Sequence, residues 1–508
     1  MKFHINSKPT PDSIKHLDIV FLPVWLSKEN KAESFGGFFS ELSQADQKLV
    51  QSFLRERQIK PGESHVIRLN DTPSNVFLAT ENLFTEKKVA LSARRFTRRA
   101  KYDGYKTAGF FVDDYEKENI SGTRTASIVS ENALLAHYDF SEQYKTAPKE
   151  GWRHLSSFVL FTLSDVKGLK SAVSGGELIA EAVNECRTLA NFPPSELKPE
   201  GMAEAARDVA RQYPSVKVTV FDEKKLKQEG MNAILAVGAG SASAPRLICL
   251  EYSGGKKGSK PLALVGKGVT FDSGGLNLKP GDHMADMHMD MSGGASVIYA
   301  IKAIAGLKLP INVIGLVPAV ENMPSGLSYR QGDIVKAYGG KTIEIGNTDA
   351  EGRVILADAI EYAKTKKPEL IVTIATLTGA VMVALGTKLA GLFVKDKLAL
   401  SQALVKIGKD SGDAVWPMPL NEDFEREVEG NLADVINTQK NGSRWGGASH
   451  GAAFLSHFAG KENFAHIDMA PRMTANPDEE LCKGAIGYGV NYFVELAKQW
   501  EEVKKTLG

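Results

Sequence analysis

Residues 347–353, of sequence NTDAEGR, hold two carboxylates and a guanidinium at alternate positions. If this segment is extended, Asp349, Glu351 and Arg353 project to the same side, because successive side chains of a strand alternate between its faces. Two anions at such close quarters repel each other, and a cleft keeps both charged only beside a cation. The segment therefore indicates a site for a divalent metal ion, although a solvated acidic loop would show the same residues.

Two further stretches place charged residues beside glycine-rich turns. In residues 264–275 (LVGKGVTFDSGG), Lys267 and Asp272 lie at or just past the end of an apolar run, and Lys279 follows shortly after. Asp290 lies in the sequence MHMDMSGG just before a predicted helix, and it could simply cap that helix. No GK[ST] sequence follows the glycines, so the region is not a phosphate-binding loop.

Together these residues make a stronger case than any one of them alone. Four carboxylates suit a pair of divalent ions, such as Mn²⁺, Zn²⁺ or Mg²⁺, that share a bridging carboxylate. Two such cations lower the pKa of a bridging water and polarise a carbonyl group. Histidine offers no rival site, because the chain has no HExxH motif and a helix would not align His283 with His288. The carboxylates are Asp272, Asp290, Asp349 and Glu351, and Lys267, Lys279 and Arg353 lie among them.

The elements that must position this set alternate along the second part of the chain, from residue 199 to residue 508. Apolar strands separated by helices imply a mostly parallel sheet flanked by helices. Ligands of such folds gather at the carboxyl ends of the strands, where the charged residues fall. We predict strands at 246–251, 261–265, 311–317, 370–374 and 465–469, and helices at 199–212, 293–306, 354–366, 398–409 and 448–459.

Residues 1–165 are predicted to form a smaller N-terminal α/β domain without a catalytic constellation. Short apolar runs alternate with helical patterns, which is typical of this class. Residues 166–198 are predicted to be a connecting helix and linker. The helix must end before Pro193 and Pro194, because proline disfavours helical geometry in the residue before it. The strands are expected at 16–24, 108–112 and 157–161, and the helices at 36–55 and 90–101.

One basic helix in the N-terminal domain has no part in the metal site. Arg94, Arg95, Arg98 and Arg99 are spaced so that a helix places them along one face. Such a face could grip phosphates, and a secondary DNA-binding role is an alternative that we keep. A solvated helix face, or a subunit contact, would account for the same spacing, and the chain as a whole gives nucleic acid little attraction.

Composition excludes several classes of protein. The 508 residues are 43% hydrophobic and 24% charged, and the formal net charge of +1 provides no field that recruits nucleic acid or an anionic membrane. Three scattered cysteines argue for a reducing compartment rather than a disulfide framework. The start of the chain has no apolar core of signal-peptide length, and residues 371–386 are too short for a membrane span. We expect a soluble cytoplasmic protein.

The charged blocks resemble those of the leucyl aminopeptidase, or cytosol aminopeptidase, family. VGKGVTFDSGG, the lysine at 279, MDMSGGA and above all NTDAEGR occur in the family's order and spacing. The resemblance covers the whole second domain and continues through residues 356–359, 376–380, 416–420 and 465–468. The first domain is similar only in size and in its α/β (macro-like) character. The expected fold is therefore α/β throughout, in two domains.

The resemblance implies a role for each charged residue. Asp272 and Glu351 would bridge two metal ions, and Lys267 would have to be deprotonated in order to donate a lone pair to one of them. Lys279 would stabilise the tetrahedral oxyanion, and Arg353 would hold a bicarbonate ion that acts as general base toward the bridging water. The implied metal ligands are Lys267, Asp272, Asp290, Asp349 and Glu351.

The resemblance also implies the substrate. A free α-amine would bind one metal, so only the N-terminal residue of a peptide could present its carbonyl for hydrolysis. A pocket that favours leucine-like and methionine-like side chains would be lined by Met287, Thr376, Leu377 and Gly379. Pro471, Arg472 and Ile486 depart from the family pattern near the wall of this pocket, and Arg472 would either admit longer or acidic side chains or form a salt bridge.

Two further expectations complete the sequence analysis. Family members resemble one another in forming homohexamers, an assembly that the sequence itself does not show. The main alternative function is that of another two-metal hydrolase, such as a phosphoesterase, because carboxylates with Lys and Arg also suit phosphate.

Overall fold

A computed structural model describes residues 1–71, 73–163, 166–443 and 445–507. The chain forms two compact units: unit 1 comprises residues 1–181 and 476–482, and unit 2 comprises residues 182–475 and 483–508. Both are built of helices and strands, so the predicted α/β class is confirmed. The predicted end of the first domain, Asp165, lies outside the described residues, and the domain limits stay a prediction.

Unit 1 is built around one sheet of seven strands. The strand order is β1-β7-β6-β2-β5-β4, with β3 paired to β2, so β4 is an edge strand. The strands are β1 Lys2–Asn6, β2 Ile19–Leu26, β3 Ala32–Phe35, β4 Ser64–Arg68, β5 Asn75–Glu81, β6 Thr107–Phe111 and β7 Ser157–Phe161. The helices are α1 Pro11–Lys15, α2 Gln44–Arg57, α3 Glu86–Asp103, α4 Gly122–His137 and α5 Val166–Asn191, within which the chain passes into unit 2.

The sequence of β2 explains why helices cover both faces of this sheet. All eight residues of the strand are buried, and consecutive side chains point to opposite faces. Phe21 packs against Phe96 of α3 with ring centroids 5.5 Å apart, whereas Leu22 belongs to the apolar cluster that contains Val50 of α2. An apolar strand of this kind is stable only between two layers of helices.

Unit 2 contains a nine-stranded sheet and a small three-stranded one. Its strands are β8 Val216–Phe221, β9 Arg246–Ser253, β10 Leu262–Gly266, β11 Gly268–Asp272, β12 Asn312–Asn322, β13 Ile334–Lys336, β14 Thr342–Glu344, β15 Leu370–Ala375, β16 Ala390–Val394, β17 Val415–Met418, β18 Val435–Ile436 and β19 Phe464–Asp468. Its helices are α6 Pro199–Gln212, α7 Glu223–Glu229, α8 Asn232–Gly238, α9 Ser292–Gly306, α10 Glu351–Lys364, α11 Gly379–Leu385, α12 Leu398–Ser411, α13 Glu422–Glu427, α14 Gly447–Ala459, α15 Val490–Lys498 and α16 Trp500–Lys504.

The order of strands in the large sheet brings the ends of its central strands together. The order is β17-β16-β19-β15-β10-β12-β9-β8, with β11 paired to β12. Strand β10 runs parallel to both β12 and β15, and β15 runs parallel to β19. Because parallel neighbours end at the same edge of a sheet, the residues that follow β10, β12, β15 and β19 lie close together.

The predicted strands and helices of the catalytic region are all present. Each of the five predicted strands corresponds to one strand of the large sheet, and each of the five helices to one helix of unit 2. One start differs in a way that matters for the site: α10 begins at Glu351 rather than at residue 354. Among the described residues, no helix is both long and apolar enough to cross a membrane.

Candidate active site

Two lysines and four carboxylates converge at the carboxyl edge of the large sheet. Lys267 directly follows β10, and its Nζ lies 2.7 Å from Asp290 Oδ2 and 2.7 Å from Glu351 Oε1. Lys279 Nζ lies 2.8 Å from Asp272 Oδ2 and 2.5 Å from Asp349 Oδ1. We refer to this set as the lysine–carboxylate cluster: Lys267, Asp272, Lys279, Asp290, Asp349 and Glu351.

The cluster is buried on one side and open on the other. The side chains of Asp272 and Glu351 are 2% and 1% exposed, whereas that of Asp349 is 33% exposed and that of Lys279 is 13% exposed. The Lys279–Asp349 end is therefore the end that a ligand reaches first.

The expectation of an extended 347–353 segment is wrong. Residues 348 and 349 form a turn, and Glu351 opens α10. The turn is closed locally, because the Asp349 N–H donates to Asn347 Oδ1 at 2.8 Å. In a helix, residues two apart differ by about 200° around the axis, so Arg353 does not share a face with Glu351. Asp349 and Glu351 still meet, because the turn and the helix start bring them together.

A glycine in the first turn of α10 makes room for Lys267. A Cβ atom on Gly352 would lie 2.5 Å from Lys267 Cε and 2.7 Å from its Nζ. Real Cβ atoms do not approach other atoms this closely, so a side chain at residue 352 would displace the lysine. The glycine of the NTDAEGR motif therefore has a packing role in the site.

Asp290 does not cap the helix that follows it. Helix α9 has no side-chain cap, and Asp290 Oδ1 instead accepts a hydrogen bond of 2.6 Å from Thr376 Oγ1. The backbone carbonyl of Thr376 accepts a second bond, of 3.1 Å, from Lys267 Nζ. Thr376 thus joins the ends of β10 and β15 to the cluster.

Burial and mutual repulsion raise the pKa of Asp290, Asp349 and Glu351. Burial raises the pKa of Glu351, with a further rise from Asp272, while Lys267 opposes both effects. The pKa values of Asp290 and Asp349 are raised for the same reason, burial first. Burial alone would lower the pKa of Lys267, but its carboxylate neighbours outweigh burial and raise it. The raised pKa values mean that the cluster disfavours four ionised carboxylates at once unless a further cation is bound.

The residues present fit divalent metal ions. Oxygen atoms of Asp272, Asp290 and Glu351 lie within 4.8 Å of one another, and all three residues are buried. Asp290 Oδ2, Asp349 Oδ1 and Glu351 Oε1 are buried and lie 2.5–2.7 Å from a lysine ammonium group, and Glu351 Oε2 has no partner among the residues that the structure describes. Buried carboxylate oxygens of this kind are ligands that hard divalent cations prefer.

Arg353 lies in the first turn of α10 and is buried. Its Nη1 donates to the Asn437 carbonyl at 3.0 Å, and its Nε has no partner among the described residues. Burial lowers the pKa of Arg353 to about 10, although Glu351 and Asp468 act in the opposite direction. A buried guanidinium with an unused donor is suited to hold an anion.

Two buried asparagines that the sequence analysis did not identify hold the ligand-bearing segments. Asn322, at the end of β12, donates to Asp272 Oδ1 at 2.8 Å and to the Thr348 carbonyl at 2.9 Å. The side chain of Asn437 accepts from the Gly346 N–H and donates to the Asn347 carbonyl, both at 2.7 Å. No motif or spacing marks either asparagine, because the partners of each lie 26 to 91 residues away.

The predicted pocket residues lie on two segments beside the cluster. Met287 lies in the 3₁₀ turn Met287–Met289, which ends next to Asp290. Leu377 and Gly379 follow Thr376, and α11 begins at Gly379. Asp468, at the end of β19, anchors this second segment, because its Oδ1 accepts from the Leu377 N–H at 3.1 Å. Its Oδ2 accepts from Thr378 Oγ1 at 2.7 Å.

The three residues that depart from the family pattern are buried. Arg472 donates to the Thr387 carbonyl at 2.7 Å, and its guanidinium lies 6.0 Å from the centre of the Tyr488 ring. Pro471 precedes it in the 3₁₀ turn Ala470–Arg472, and Ile486 is 9% exposed. Arg472 therefore supports the loop that contains Thr387.

Comparison with known proteins agrees with this geometry. The family described as "Cytosol aminopeptidase family, catalytic domain" matches residues 184–494, more than half of the chain. A protein of Solibacter usitatus named "Probable cytosol aminopeptidase" is 44% identical over 75% of this chain and 78% of its own length. One of Syntrophotalea carbinolica with the same name is 41% identical over 74% of this chain and 76% of its own length.

Solved structures show the same fold along almost the whole chain. A mutant of tomato leucine aminopeptidase superposes with a TM-score of 0.84 at 30% identity, covering 98% of this chain and 97% of that one. The bottromycin maturation enzyme BotP in complex with Mn has a TM-score of 0.81 at 29% identity, covering 95% and 99%. The chain belongs to the cytosol aminopeptidase family. It is an exopeptidase of the leucyl aminopeptidase type.

Proposed function

We propose that the chain is a metal-dependent aminopeptidase that releases N-terminal residues, preferably leucine-like ones, from peptides. The observation that carries this proposal is the lysine–carboxylate cluster, in which oxygen atoms of the three buried carboxylates Asp272, Asp290 and Glu351 lie within 4.8 Å of one another. Family membership supports peptide hydrolysis, and the cluster supports a mechanism that depends on cations.

The cluster residues would hold two divalent ions per subunit, Mn²⁺ or Zn²⁺ and in some conditions Mg²⁺. When bound, the ions would polarise the scissile carbonyl and supply a nucleophile at neutral pH. Asp272 and Glu351 are suited to bridge them, since both lie in the most buried part of the cluster. Lys267, Asp290 and Asp349 would complete the ligand set, with Lys267 neutral in the loaded site.

Lys279 is suited to stabilise the oxyanion of the tetrahedral intermediate. It lies at the open end of the cluster, where its Nζ can reach a substrate carbonyl while Asp272 and Asp349 orient it. A preorganised donor of this kind stabilises the charge that develops in the transition state. In the metal-free chain its carboxylate neighbours outweigh burial and raise the pKa of Lys279.

Arg353 would bind a bicarbonate ion that serves as the general base. The bond from Nη1 to the Asn437 carbonyl orients the buried guanidinium, and Nε has no partner among the described residues. A bound anion would then accept a proton from the attacking water, a step for which none of the cluster's carboxylates is free when they hold metal ions.

Selectivity for the N-terminal residue of a peptide would follow from the metal ions that the lysine–carboxylate cluster would hold. A free α-amine can occupy a metal position beside the scissile carbonyl, whereas an internal amide nitrogen cannot donate a lone pair. Met287, Thr376, Leu377 and Gly379 would bound the pocket for the first side chain. Gly379 has no side chain, and a Cβ atom at this position would meet nothing within 4 Å, so there is open space beside this residue.

A metal-dependent activity scan tests the proposal. The protein is stripped with a chelator, reloaded with Mn²⁺, Zn²⁺ or Mg²⁺, and assayed against aminoacyl-anilides and phosphate esters. We expect metal-dependent anilide turnover that is fastest for leucine and methionine and absent for N-acetylated substrates. Turnover of phosphate esters without turnover of anilides would instead favour the two-metal phosphoesterase.

The assembly and the location of the chain stay predictions. We propose a homohexamer, to be tested by sedimentation equilibrium, in which a strictly monomeric mass would contradict it. A cytoplasmic location, expected from the cysteine usage, would be tested by fractionation of cells that express the chain.

A further inference from the structure

Unit 1 contains a groove of about 560 Å³ beside its edge strand β4, far along the chain from the residues of the candidate active site. Helix α2 borders one side of the strand and α3 the other. We refer to it as the arginine groove, after the residues that dominate its lining: Phe53, Arg57, Arg95, Arg98, Arg99 and Tyr102.

The groove carries more positive charge than its own residues neutralise. Among its lining residues, four arginines face a single carboxylate, that of Glu480. Glu480 Oε1 lies 3.4 Å from Arg95 Nε, its Oε2 lies 3.9 Å from Arg98 Nη1, and Arg99 pairs with Asp103 at 2.7 Å. Arg57 forms no ion pair with any residue that the structure describes.

Backbone contacts fix two of these guanidinium groups in place. Arg95 Nη1 donates to the Gly62 carbonyl at 2.7 Å, and Arg98 Nη1 donates to the Leu481 carbonyl at 2.9 Å. Each guanidinium has five N–H donors, so these bonds leave most of its donors for a ligand. Less side-chain entropy is lost on binding when the donors are held in advance.

Aromatic rings lie among the cations. The guanidinium of Arg57 lies 5.4 Å from the centre of the Phe53 ring. The rings of Phe53 and His65 pack in a T-shaped arrangement with their centres 5.5 Å apart. The Tyr102 ring is 74% exposed. Aromatic faces and guanidinium planes together stack on flat heterocycles, while the remaining arginine donors bind phosphate oxygens.

We propose that the arginine groove binds a nucleoside polyphosphate. The cations suit its phosphates, the rings suit its base, and a groove of about 560 Å³ lies within the range of roughly 300–1,000 Å³ that small-ligand sites occupy. A long nucleic acid fits less well, because the carboxylates of Glu63, Asp103 and Glu480 border the cations and the whole chain has a net charge of only +1.

Titration calorimetry of the intact, metal-loaded protein with ATP tests the proposal. Arg57→Gln and Arg99→Gln are each expected to weaken ATP binding about tenfold or more, the scale of one lost charge-assisted contact. Arg55→Gln is the matched control: it removes the same charge from the same helix, is exposed and does not line the groove. It should leave the affinity within about twofold.

Pyrophosphate, adenosine and an oligonucleotide are measured in the same way. Pyrophosphate should bind more weakly than ATP, and adenosine more weakly still, because each lacks part of the recognised chemistry. Leucine-anilide turnover should be the same in all three variants, which shows that the fold is intact. The proposal is overturned if ATP does not bind at millimolar concentration, if Arg57→Gln leaves its affinity unchanged, or if the variants weaken only binding of an oligonucleotide.

Discussion

The lysine–carboxylate cluster and the arginine groove differ in how completely their charged side chains are paired and buried. In the lysine–carboxylate cluster of unit 2, every carboxylate lies within reach of a lysine, and most of the side chains are nearly inaccessible to water. In the arginine groove of unit 1, four arginines share one lining carboxylate and leave much of their charge to the solvent. The first region is organised around anions and the second around cations.

The difference shows what burial demands of charge. Isolated buried charges are costly, so the cluster is stable only where opposite charges lie within about 3 Å of one another. An exposed groove has no such requirement, because water solvates the unpaired arginines. The proposed metal site therefore lies where carboxylates are buried together, and the proposed nucleotide site lies where arginines remain exposed.

The largest expected effect comes from the most buried carboxylate of the cluster. Glu351→Ala should reduce peptide turnover by about 10³-fold or more, because several kcal/mol of transition-state stabilisation depend on the cations that this residue would bridge. Steady-state kinetics with leucine-anilide, together with metal content from atomic absorption, measure the effect. Glu502→Ala is the control, since Glu502 is an exposed glutamate of the same unit. Full turnover by Glu351→Ala would remove the cluster from the reaction.

The open end of the cluster should respond differently from its buried part. Lys279→Ala is expected to lower kcat by roughly 10²–10³-fold while metal content is retained, the scale of one lost oxyanion donor. Comparing kcat with KM separates the possible roles of the lysine, because an effect on KM alone would assign it to substrate binding. Lys388→Ala, an exposed lysine of unit 2, should leave both constants unchanged.

Much of the cluster was predictable from sequence because its residues lie in short, glycine-marked segments. Strand ends and turns carry Lys267, Asp272, Asp290 and Asp349, and the order of parallel strands places such ends at one edge. The prediction that residues 347–353 are extended was wrong, because alternation of residue types alone cannot distinguish a strand from a turn that enters a helix. Periodicity over seven residues is too short to decide between them.

What the sequence did not reveal are contacts between distant segments. Asn322 and Asn437 are single polar residues in apolar or loop contexts, and their partners become apparent only when strands and turns are assembled. The arginines of α3 were predicted to share one face. Their spacing did not indicate that Arg94 donates to Asn132 Oδ1 and to the Glu479 carbonyl. Nothing in local spacing indicates that residues 476–482 belong to unit 1.

A glycine substitution tests how tightly the cluster is packed. Gly352→Ala should lower turnover about tenfold or more and cost roughly 1–3 kcal/mol of unfolding free energy, since its Cβ would lie 2.5 Å from Lys267 Cε. Gly326→Ala is the matched control, because a Cβ atom at that position meets nothing within 4 Å. Urea unfolding and leucine-anilide kinetics measure both effects. If Gly352→Ala behaves like Gly326→Ala, Lys267 is not fixed as the structure indicates.

The last prediction concerns stability rather than turnover, at a buried carboxylate of unit 1 that has no lysine bonded to it. Asp114 accepts a 2.7 Å hydrogen bond from the Gly37 N–H, and its Oδ2 has no partner among the described residues. Burial raises the pKa of Asp114 to about 7 from its ordinary value of 3.8, although the Gly37 N–H opposes this effect. Asp114 is thus accommodated by protonation, whereas the carboxylates of the lysine–carboxylate cluster lie beside lysine ammonium groups.

The raised pKa fixes the sign of the pH dependence. Between about pH 4 and pH 7 the folded chain binds more protons at Asp114 than the unfolded chain, so its contribution to stability falls as pH rises and is constant above pH 7. Asp114→Asn removes this fall, and relative to the parent chain it should be about 3 kcal/mol more stable at pH 8 than at pH 4.5. Urea unfolding at the two pH values measures the difference, with the exposed Asp71→Asn as control. An equal effect of Asp114→Asn at both values would mean that Asp114 is ionised in the folded chain, so that burial without a paired cation does not protonate this acid.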